Sequence, residues 1–192
     1  MPLLQTIIAF TSKLRETGIS IQGGRMDTNS FSVESLTGTD LFKEIVQIGI
    51  VVEDMDKALA GMKNVFGLEP DVLSDNNYKS TWYKGEIIDA PVKAAFFNFF
   101  NVQLEFLAPI GETDTIWHDY LDEGFRKAGH ALHHLRFDVD NNDEATAFLA
   151  SKGIEKYMEG TSLVDPSATF TYYDSVDQLG FILECVTKPK TQ

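Results

Sequence analysis

Four polar side chains interrupt runs of apolar residues that are typical of buried β-strands. They are Gln47 in IVQIGIVV, Glu105 in VQLEFL, His134 in LHHLRF and Glu184 in FILEC. A carboxylate buried without a partner is costly, so two of them within apolar strands require compensation. A divalent cation would supply it, because two carboxylates, an amide oxygen and an imidazole suit zinc, nickel, cobalt or manganese. These residues therefore predict a metal site with oxygen and nitrogen ligands.

The same four residues occupy matching positions in an internal repeat. When Gln47 is set against His134, the segment QIGIVVEDMDKALAG aligns without a gap with HLRFDVDNNDEATAF. Each segment begins as a strand and continues as a helix, and each copy ends in an apolar strand that carries Glu105 or Glu184. Two-fold packing of the copies would bring the four side chains to one centre.

The repeat predicts an α+β fold made of two βαβββ modules, at residues 42–110 and 131–189. Their curved mixed or antiparallel sheets should form one metal-binding cleft within a single globular domain. Residues 111–130 connect the modules, and Asp114 to Gly129 are expected to be helical because their apolar residues share one side.

Local signals define the helix of each module. Asp54 and Asn142 are the predicted N-caps, and Gly67 and Gly153 are the predicted ends. Apolar spacing predicts the buried positions: Met55, Leu59, Met62 and Phe66 in the first helix, and Ala145, Phe148 and Leu149 in the second.

Residues 1–41 are expected to form a helix followed by a linker. Apolar side chains at helical spacing predict the helix: Leu3, Ile7, Phe10 and Leu14. Residues 22–40 are rich in Gly, Ser and Thr and have no periodicity, which favours a linker. The extension would cover a sheet face or contribute to a homodimer.

Length and composition limit the classes of function. The chain has 192 residues and a formal net charge of −13, which disfavours binding to nucleic acid or to anionic membranes. No apolar run approaches the roughly 20 residues that span a bilayer, and the start lacks the features of a signal peptide. The single cysteine, Cys185, indicates a reducing compartment and excludes Cys-rich zinc sites. We therefore expect a cytoplasmic protein that acts on a small molecule.

Strand alternation places further side chains beside the predicted metal site. Arg136 shares a face with His134, and Gln103 shares a face with Glu105, so both are candidate substrate contacts. A guanidinium in an acidic cleft could bind a substrate carboxylate or phosphate through two hydrogen bonds. Asp138 lies on the same face, so an internal ion pair with Arg136 is the alternative.

Other conspicuous residues are assigned structural roles. His133 should point to the opposite face from His134 and be packed or hydrogen-bonded, and Cys185 should point away from the site because it follows Glu184. Core and module-interface packing is expected for an aromatic cluster: Phe96, Phe97, Phe99 and Phe100.

The tandem repeat and the motifs QIGIVVEDMDKAL, LEFLAP, ALHHLRFDVDN and FILECV resemble the vicinal oxygen chelate superfamily. This superfamily includes glyoxalase I, methylmalonyl-CoA epimerases, extradiol dioxygenases and bleomycin-resistance proteins, and the resemblance covers about residues 42–189. The family's metal positions fall on the four residues identified above. Their types match human-type glyoxalase I, whereas NVQLEFLAPIGETDTIW and GHALHHLRFDVD are most similar to the epimerase-like members.

Two departures from these patterns leave the reaction open. Bacterial epimerases often carry a second glutamate in the strand before the LEFLAP-like strand, where this chain has Ala94 or a neighbour. Glyoxalase I has glutathione contacts at the positions of Val51 and Pro109.

The resemblance implies proton removal from a carbon next to a metal-chelated carbonyl or thioester. Its implied base is Glu184, and Glu105 could serve the opposite face of that carbon. The chain would then be an epimerase, an isomerase or a glyoxalase-type lyase. A metal-free protein that sequesters small molecules, as in bleomycin resistance, is the alternative. An iron extradiol dioxygenase would require two histidines and one carboxylate as its iron ligands. Gln47 does not fit that set, so this activity is disfavoured.

Overall fold

The computed structural model describes residues 37–121, 130–163 and 165–187. The first module contains β1 (Ile45–Val52), α2 (Met55–Phe66), β2 (Val72–Tyr83), β3 (Glu86–Asn98) and β4 (Gln103–Pro109), preceded by the helical turn α1 (Gly38–Leu41). The connecting helix α3 is Ile116–Tyr120. The second module contains β5 (His130–Val139), α4 (Asn142–Ser151), β6 (Lys156–Thr161), β7 (Thr169–Tyr173), a short α5 (Val176–Leu179) and β8 (Ile182–Thr187). The predicted α+β fold with two βαβββ modules is confirmed.

The predicted helix at the start of the chain, most of the linker and residues 122–129 of the connecting segment lie outside the described residues. The linker prediction is wrong at 38–40, which belong to α1. That turn forms because the Asp40 carboxylate accepts hydrogen bonds from the Thr37 backbone N–H and hydroxyl. None of the described helices is long and apolar enough to cross a membrane.

The eight strands form one closed sheet in the order β1-β4-β3-β2-β6-β7-β8-β5, with β5 pairing back to β1. Within each module the first strand runs parallel to the last, so β1 pairs with β4 and β5 with β8. The modules meet along the antiparallel β1/β5 pair and a short β2/β6 contact. The first and last strands of both modules therefore lie side by side, which is where all four candidate ligands are found.

The module helices begin and end mostly where the local signals indicate. Asp54 caps α2 by accepting from Lys57 N, and Gly67 ends it with a φ of 68° that favours glycine. The buried positions are confirmed except Phe66, which is 57% exposed, and Leu59, which is half-buried. Phe66 lies at the exposed end of α2 and packs edge-on against Phe99.

The predicted N-cap of α4 is wrong by one residue. Asn141, not Asn142, caps the helix by accepting from the backbone N–H groups of Asp143 and Glu144. Asn142 is the first helical residue, and its amide donates instead to the hydroxyl of Thr171 on β7. The helix ends at Ser151, two residues before Gly153.

Asp119 attaches α3 to the barrel. A single carboxylate oxygen, Oδ2, accepts from the Tyr83 hydroxyl at 2.5 Å, the Tyr157 hydroxyl at 2.8 Å and Lys84 Nζ at 2.6 Å. The Lys84 ammonium also lies 5.0 Å from the centroid of each tyrosine ring. Burial would raise the pKa of Asp119, but these three hydrogen bonds outweigh it and lower that pKa. The cluster thus joins the connecting helix to both modules.

Candidate functional site

The closed sheet brings the four sequence-predicted ligands together. Gln47 and His134 come from the first strands of the modules, and Glu105 and Glu184 come from the last. In the parallel β1/β4 pair, Gly49 lies opposite Glu105. Gln47 is two residues before Gly49 along β1, so its side chain lies on the same face of the sheet as that of Glu105. The second module repeats this arrangement in the parallel β5/β8 pair. Arg136 lies opposite Glu184, and His134 is two residues before Arg136 along β5. All four side chains are buried.

Their functional atoms converge on one imidazole nitrogen. His134 Nε2 lies 3.1 Å from Gln47 Oε1, 3.2 Å from Glu184 Oε2 and 3.3 Å from Glu105 Oε2. A ring nitrogen carries at most one hydrogen, so it cannot serve three acceptors. Glu184 Oε2 accordingly has no hydrogen bond of good geometry from any described residue.

Gly49 makes this convergence possible. It faces His134 across the antiparallel β1/β5 pair, and the imidazole lies directly over it. A Cβ atom built on Gly49 would fall 2.0 Å from the Cε1 atom of His134 and 2.5 Å from its Nε2. Any side chain at this position would therefore displace the ring from the three oxygens.

His133 does not point away from His134 as strand alternation predicts. The β1/β5 pairing has a bulge here, because Gly49 pairs with His134 while Ile50 pairs with Leu132, leaving His133 unmatched. Both rings consequently contact each other, with their Nδ1 atoms 2.9 Å apart, and both contact the ring of Tyr172. The prediction that His133 is packed or hydrogen-bonded is confirmed, since it is fully buried and its Nδ1 lies within hydrogen-bond distance of His134 Nδ1.

Gln103 determines which way the Gln47 amide faces. Gln47 Nε2 donates to Gln103 Oε1 at 2.5 Å, and Gln103 Nε2 donates to Asn98 Oδ1 at 2.8 Å. This chain of amides leaves the oxygen of Gln47, not its nitrogen, facing His134. Gln103 also lines the adjacent cavity.

A cavity of about 570 Å³ opens beside the four residues. Arg136 lines it, and its guanidinium donates twice to Asp138 Oδ1, at 2.8 and 3.1 Å. The two readings of Arg136 are therefore compatible: it lies in the cavity and is paired with Asp138. The remaining charged side chains at the cavity are acidic: Glu44, Glu105, Asp165 and Glu184.

Sequence reasoning missed the aromatic wall of the cavity, which comprises Tyr78, Phe96, Phe99, Trp117, Phe170 and Tyr172. Phe96 and Phe99 pack against the core as predicted and also line the cavity. Phe97 is core as predicted, whereas the packing prediction is wrong for Phe100, which is fully exposed. Tyr172 pairs with Glu184 across β7/β8. Alternation within TFTYY could have placed Phe170 and Tyr172 on one face. Cys185 packs in a separate apolar cluster behind the sheet, as expected.

Burial and the clustered charges shift the pKa values of the site. Burial raises the pKa of Glu184 to about 7, although His134 and Arg136 oppose the increase. Burial disfavours the charged form of His134, but Glu184 and Glu105 outweigh it and raise its pKa. Burial and the neighbouring His134 hold the pKa of His133 well below its usual range, so its ring is neutral. Burial also raises the pKa of the Tyr172 phenol, which stays protonated.

The family is established by comparison with known proteins. The sequence model of the Glyoxalase/Bleomycin resistance protein/Dioxygenase superfamily matches residues 46–172. The chain belongs to this superfamily. The matched region contains Gln47, Glu105 and His134, and it ends 12 residues before Glu184. The resemblance inferred from the sequence motifs is thus confirmed.

Relatives within this superfamily include methylmalonyl-CoA epimerases. The chain is 31% identical over 117 residues to the mitochondrial methylmalonyl-CoA epimerase of Bos taurus, a match covering 58% of this chain and 55% of the relative. It therefore spans about half the length of that protein.

Solved structures of epimerases share the fold. A Streptomyces coelicolor methylmalonyl-CoA epimerase variant, in complex with 2-nitronate-propionyl-CoA, matches with a TM-score of 0.57 and 20% identity, covering 79% of this chain and 98% of the other. The Mycobacterium tuberculosis methylmalonyl-CoA epimerase matches with a TM-score of 0.57 and 17% identity, covering 82% and 96%.

Proposed function

We propose that this chain is a divalent-metal-dependent epimerase or isomerase that moves a proton at a carbon next to a carbonyl or thioester. The observation that carries the proposal is the convergence of Gln47 Oε1, Glu105 Oε2 and Glu184 Oε2 on His134 Nε2. The identity of 31% to a methylmalonyl-CoA epimerase supports the epimerase class over a glyoxalase-type lyase.

The four residues fit a metal on three grounds. His134 Nε2 lies 3.1 to 3.3 Å from three oxygen atoms, so four potential ligand atoms are close together. Glu184 Oε2 is buried without a hydrogen bond from the described residues. Oxygen and imidazole donors suit zinc, nickel, cobalt or manganese. A bound cation would polarise the substrate's carbonyl oxygens and stabilise negative charge on them.

The chain's own residues have separate roles in this scheme. Gln47, Glu105, His134 and Glu184 would hold the cation, and Gln103 would keep the oxygen of Gln47 facing it. The Glu184 carboxylate would accept the substrate's proton as general base, and Glu105 in its protonated carboxyl form would return a proton to the opposite face of the carbon. Arg136, paired with Asp138, remains the candidate contact for an anionic group of the substrate.

Metal content is the first test. Protein purified and dialysed against zinc, nickel, cobalt or manganese should hold close to one ion per chain, measured by inductively coupled plasma mass spectrometry. We expect His134→Ala and Glu184→Ala to lose the ion. The matched controls His118→Ala and Glu69→Ala lie outside the cavity and should retain it. Equal metal content in all four variants would contradict the proposal.

Proton transfer is the second test. Incubation of a methylmalonyl thioester with the metal-loaded protein in D₂O should introduce deuterium at the carbon between the two carbonyls, measured by NMR. Glu184→Gln should abolish this exchange because an amide cannot accept the proton. Exchange that proceeds equally in the metal-free protein would overturn the metal-dependent scheme.

A metal-free binding protein is the second candidate, and the aromatic wall of the cavity favours it. Six aromatic side chains beside a space of about 570 Å³ suit a flat, apolar small molecule. Under this alternative the cavity would bind such molecules with the same affinity whether or not His134 and Glu184 are replaced. Isothermal titration with aromatic ligands distinguishes the two candidates.

A further inference from the structure

The indole N–H of Trp117 is a buried donor without a described partner. Trp117 lies in α3, is 1% exposed and lines the cavity. Its Nε1 atom makes no hydrogen bond of good geometry to any described residue. An N–H buried in this way costs about 1–3 kcal/mol, so it favours a ligand that supplies an acceptor. Neither the metal ligands nor the proposed base uses this group.

The hydroxyl of Tyr172 is a second donor, close to Trp117 Nε1. Tyr172 pairs with Glu184 across two strands, and its ring centroid lies 5.2 Å from that of His134. Trp117 Nε1 approaches the Tyr172 hydroxyl without completing a well-formed hydrogen bond. Trp117 and Tyr172 both line the cavity next to the four converging residues, and the apolar ring of Phe170 packs beside Tyr172.

The charges around these donors select the acceptor. After burial, Glu184 and Glu105 are the charged groups that raise the pKa of the Tyr172 phenol, and both are acidic. An anionic group placed at the indole would be repelled by them, whereas an uncharged carbonyl oxygen accepts from neutral donors without that penalty. A carbonyl of an ester, thioester or ketone therefore suits the position best.

We propose that Trp117 Nε1–H and the Tyr172 hydroxyl form a subsite for an uncharged carbonyl oxygen of the substrate. This inference rests on the proposed function for the identity of the bound molecule, because the proposed reaction removes a proton from a carbon next to such a carbonyl. The subsite belongs to the aromatic wall and exists with or without the cation. It assigns substrate positioning to two residues outside the predicted ligand set.

The indole signal of Trp117 provides a direct test. In ¹⁵N-labelled Trp82→Phe protein, Trp117 gives the one remaining indole N–H resonance. We expect S-ethyl thioacetate, a small thioester, to move this resonance downfield. The matched control is the thioether diethyl sulfide, which has no carbonyl and should leave the resonance in place. An unmoved resonance, or equal movement with both compounds, overturns the proposal.

Binding to variants is the second measurement. Tyr172→Phe keeps the ring and removes the hydroxyl, and we expect it to weaken thioester binding roughly three- to tenfold while leaving thioether binding unchanged. Equal affinities for the thioester overturn the proposal. Titrations with and without added zinc separate this inference from the proposed function. A resonance that responds in a protein without metal binding or proton exchange would refute that function and leave the subsite standing.

Discussion

The Nδ1 atoms of His133 and His134 lie 2.9 Å apart inside the barrel, so one ring must donate to the other. His133 is neutral because burial and its neighbour lower its pKa. If His134 Nε2 binds a cation through its lone pair, His134 Nδ1 carries the hydrogen and His133 Nδ1 accepts it. Under the proposed function, this hydrogen bond would hold His134 in the tautomer that binds a metal through Nε2.

We expect His133→Phe to weaken zinc binding about 10- to 100-fold, the usual effect of losing a hydrogen-bond partner of a metal-bound histidine. Phenylalanine retains a flat ring but offers no acceptor to His134 Nδ1. Zinc affinity is measured by competition with a chromophoric chelator. His118→Phe, which alters a histidine outside the cavity, should bind zinc as the unaltered protein does. Equal affinities of the two variants would show that His133 only fills space.

Replacement of Gly49 by alanine adds only one methyl group, but we expect it to impair both metal binding and stability. The Gly49→Ala methyl group would fall 2.0 Å from the His134 ring, which must then move off the three oxygens. We expect loss of zinc binding and destabilisation by about 1–3 kcal/mol, measured by urea unfolding. The control Gly61→Ala adds a methyl to α2 with nothing within 4 Å and should stabilise by about 0.5–1 kcal/mol. Comparable stability of the two variants would refute the close approach.

The Asp119 cluster predicts a pH-dependent contribution to stability. Its folded pKa lies below the ordinary 3.8, so the stabilisation is present above pH 3.8 and is lost as the pH falls through the folded pKa. The side chain is 32% exposed, so screening limits the expected loss in Asp119→Asn to about 1–2 kcal/mol at pH 7. The difference should shrink below pH 3.8 in thermal unfolding.

Asp89→Asn is the control for Asp119. It breaks an exposed ion pair with Lys79 and should cost less than about 0.5 kcal/mol. A pH-independent difference between Asp119→Asn and the unaltered protein would contradict the electrostatic origin of the effect.

The acidic side chains at the cavity mouth should repel the phosphates of a coenzyme A thioester and so lower its kcat/KM. Glu44 is exposed and lines the mouth with Asp138 and Asp165. Under the proposed function, and with methylmalonyl-CoA as the test compound, Glu44→Lys should raise kcat/KM roughly two- to tenfold at low salt, because the coenzyme phosphates are repelled less. Methylmalonyl-pantetheine, which lacks those phosphates, should be unaffected. Glu86→Lys, at the opposite end of β3 from the mouth, is the control, and an equal increase there would exclude a local effect.

The sequence was sufficient to identify the four converging side chains and the two modules. Polar residues within apolar strands and the match between two copies are properties of chain order, so Gln47, Glu105, His134 and Glu184 could be recognised without coordinates. The N-cap at Asp54 was also predictable, because its hydrogen bond reaches only three residues along the chain. The homodimer and the cytoplasmic location remain predictions.

Tertiary structure decided the features that depend on residues distant in sequence. Thr171 engages Asn142 and leaves Asn141 as the cap, and closure of the barrel inserts His133 as a bulge in the β1/β5 pair. Strand alternation assumes an unbroken register, so it could not place His133 beside His134. Trp117 lines the cavity because the connecting helix is attached to both modules through Asp119. The chain alone specifies which donors are present, whereas the register between its strands decides which atoms they face.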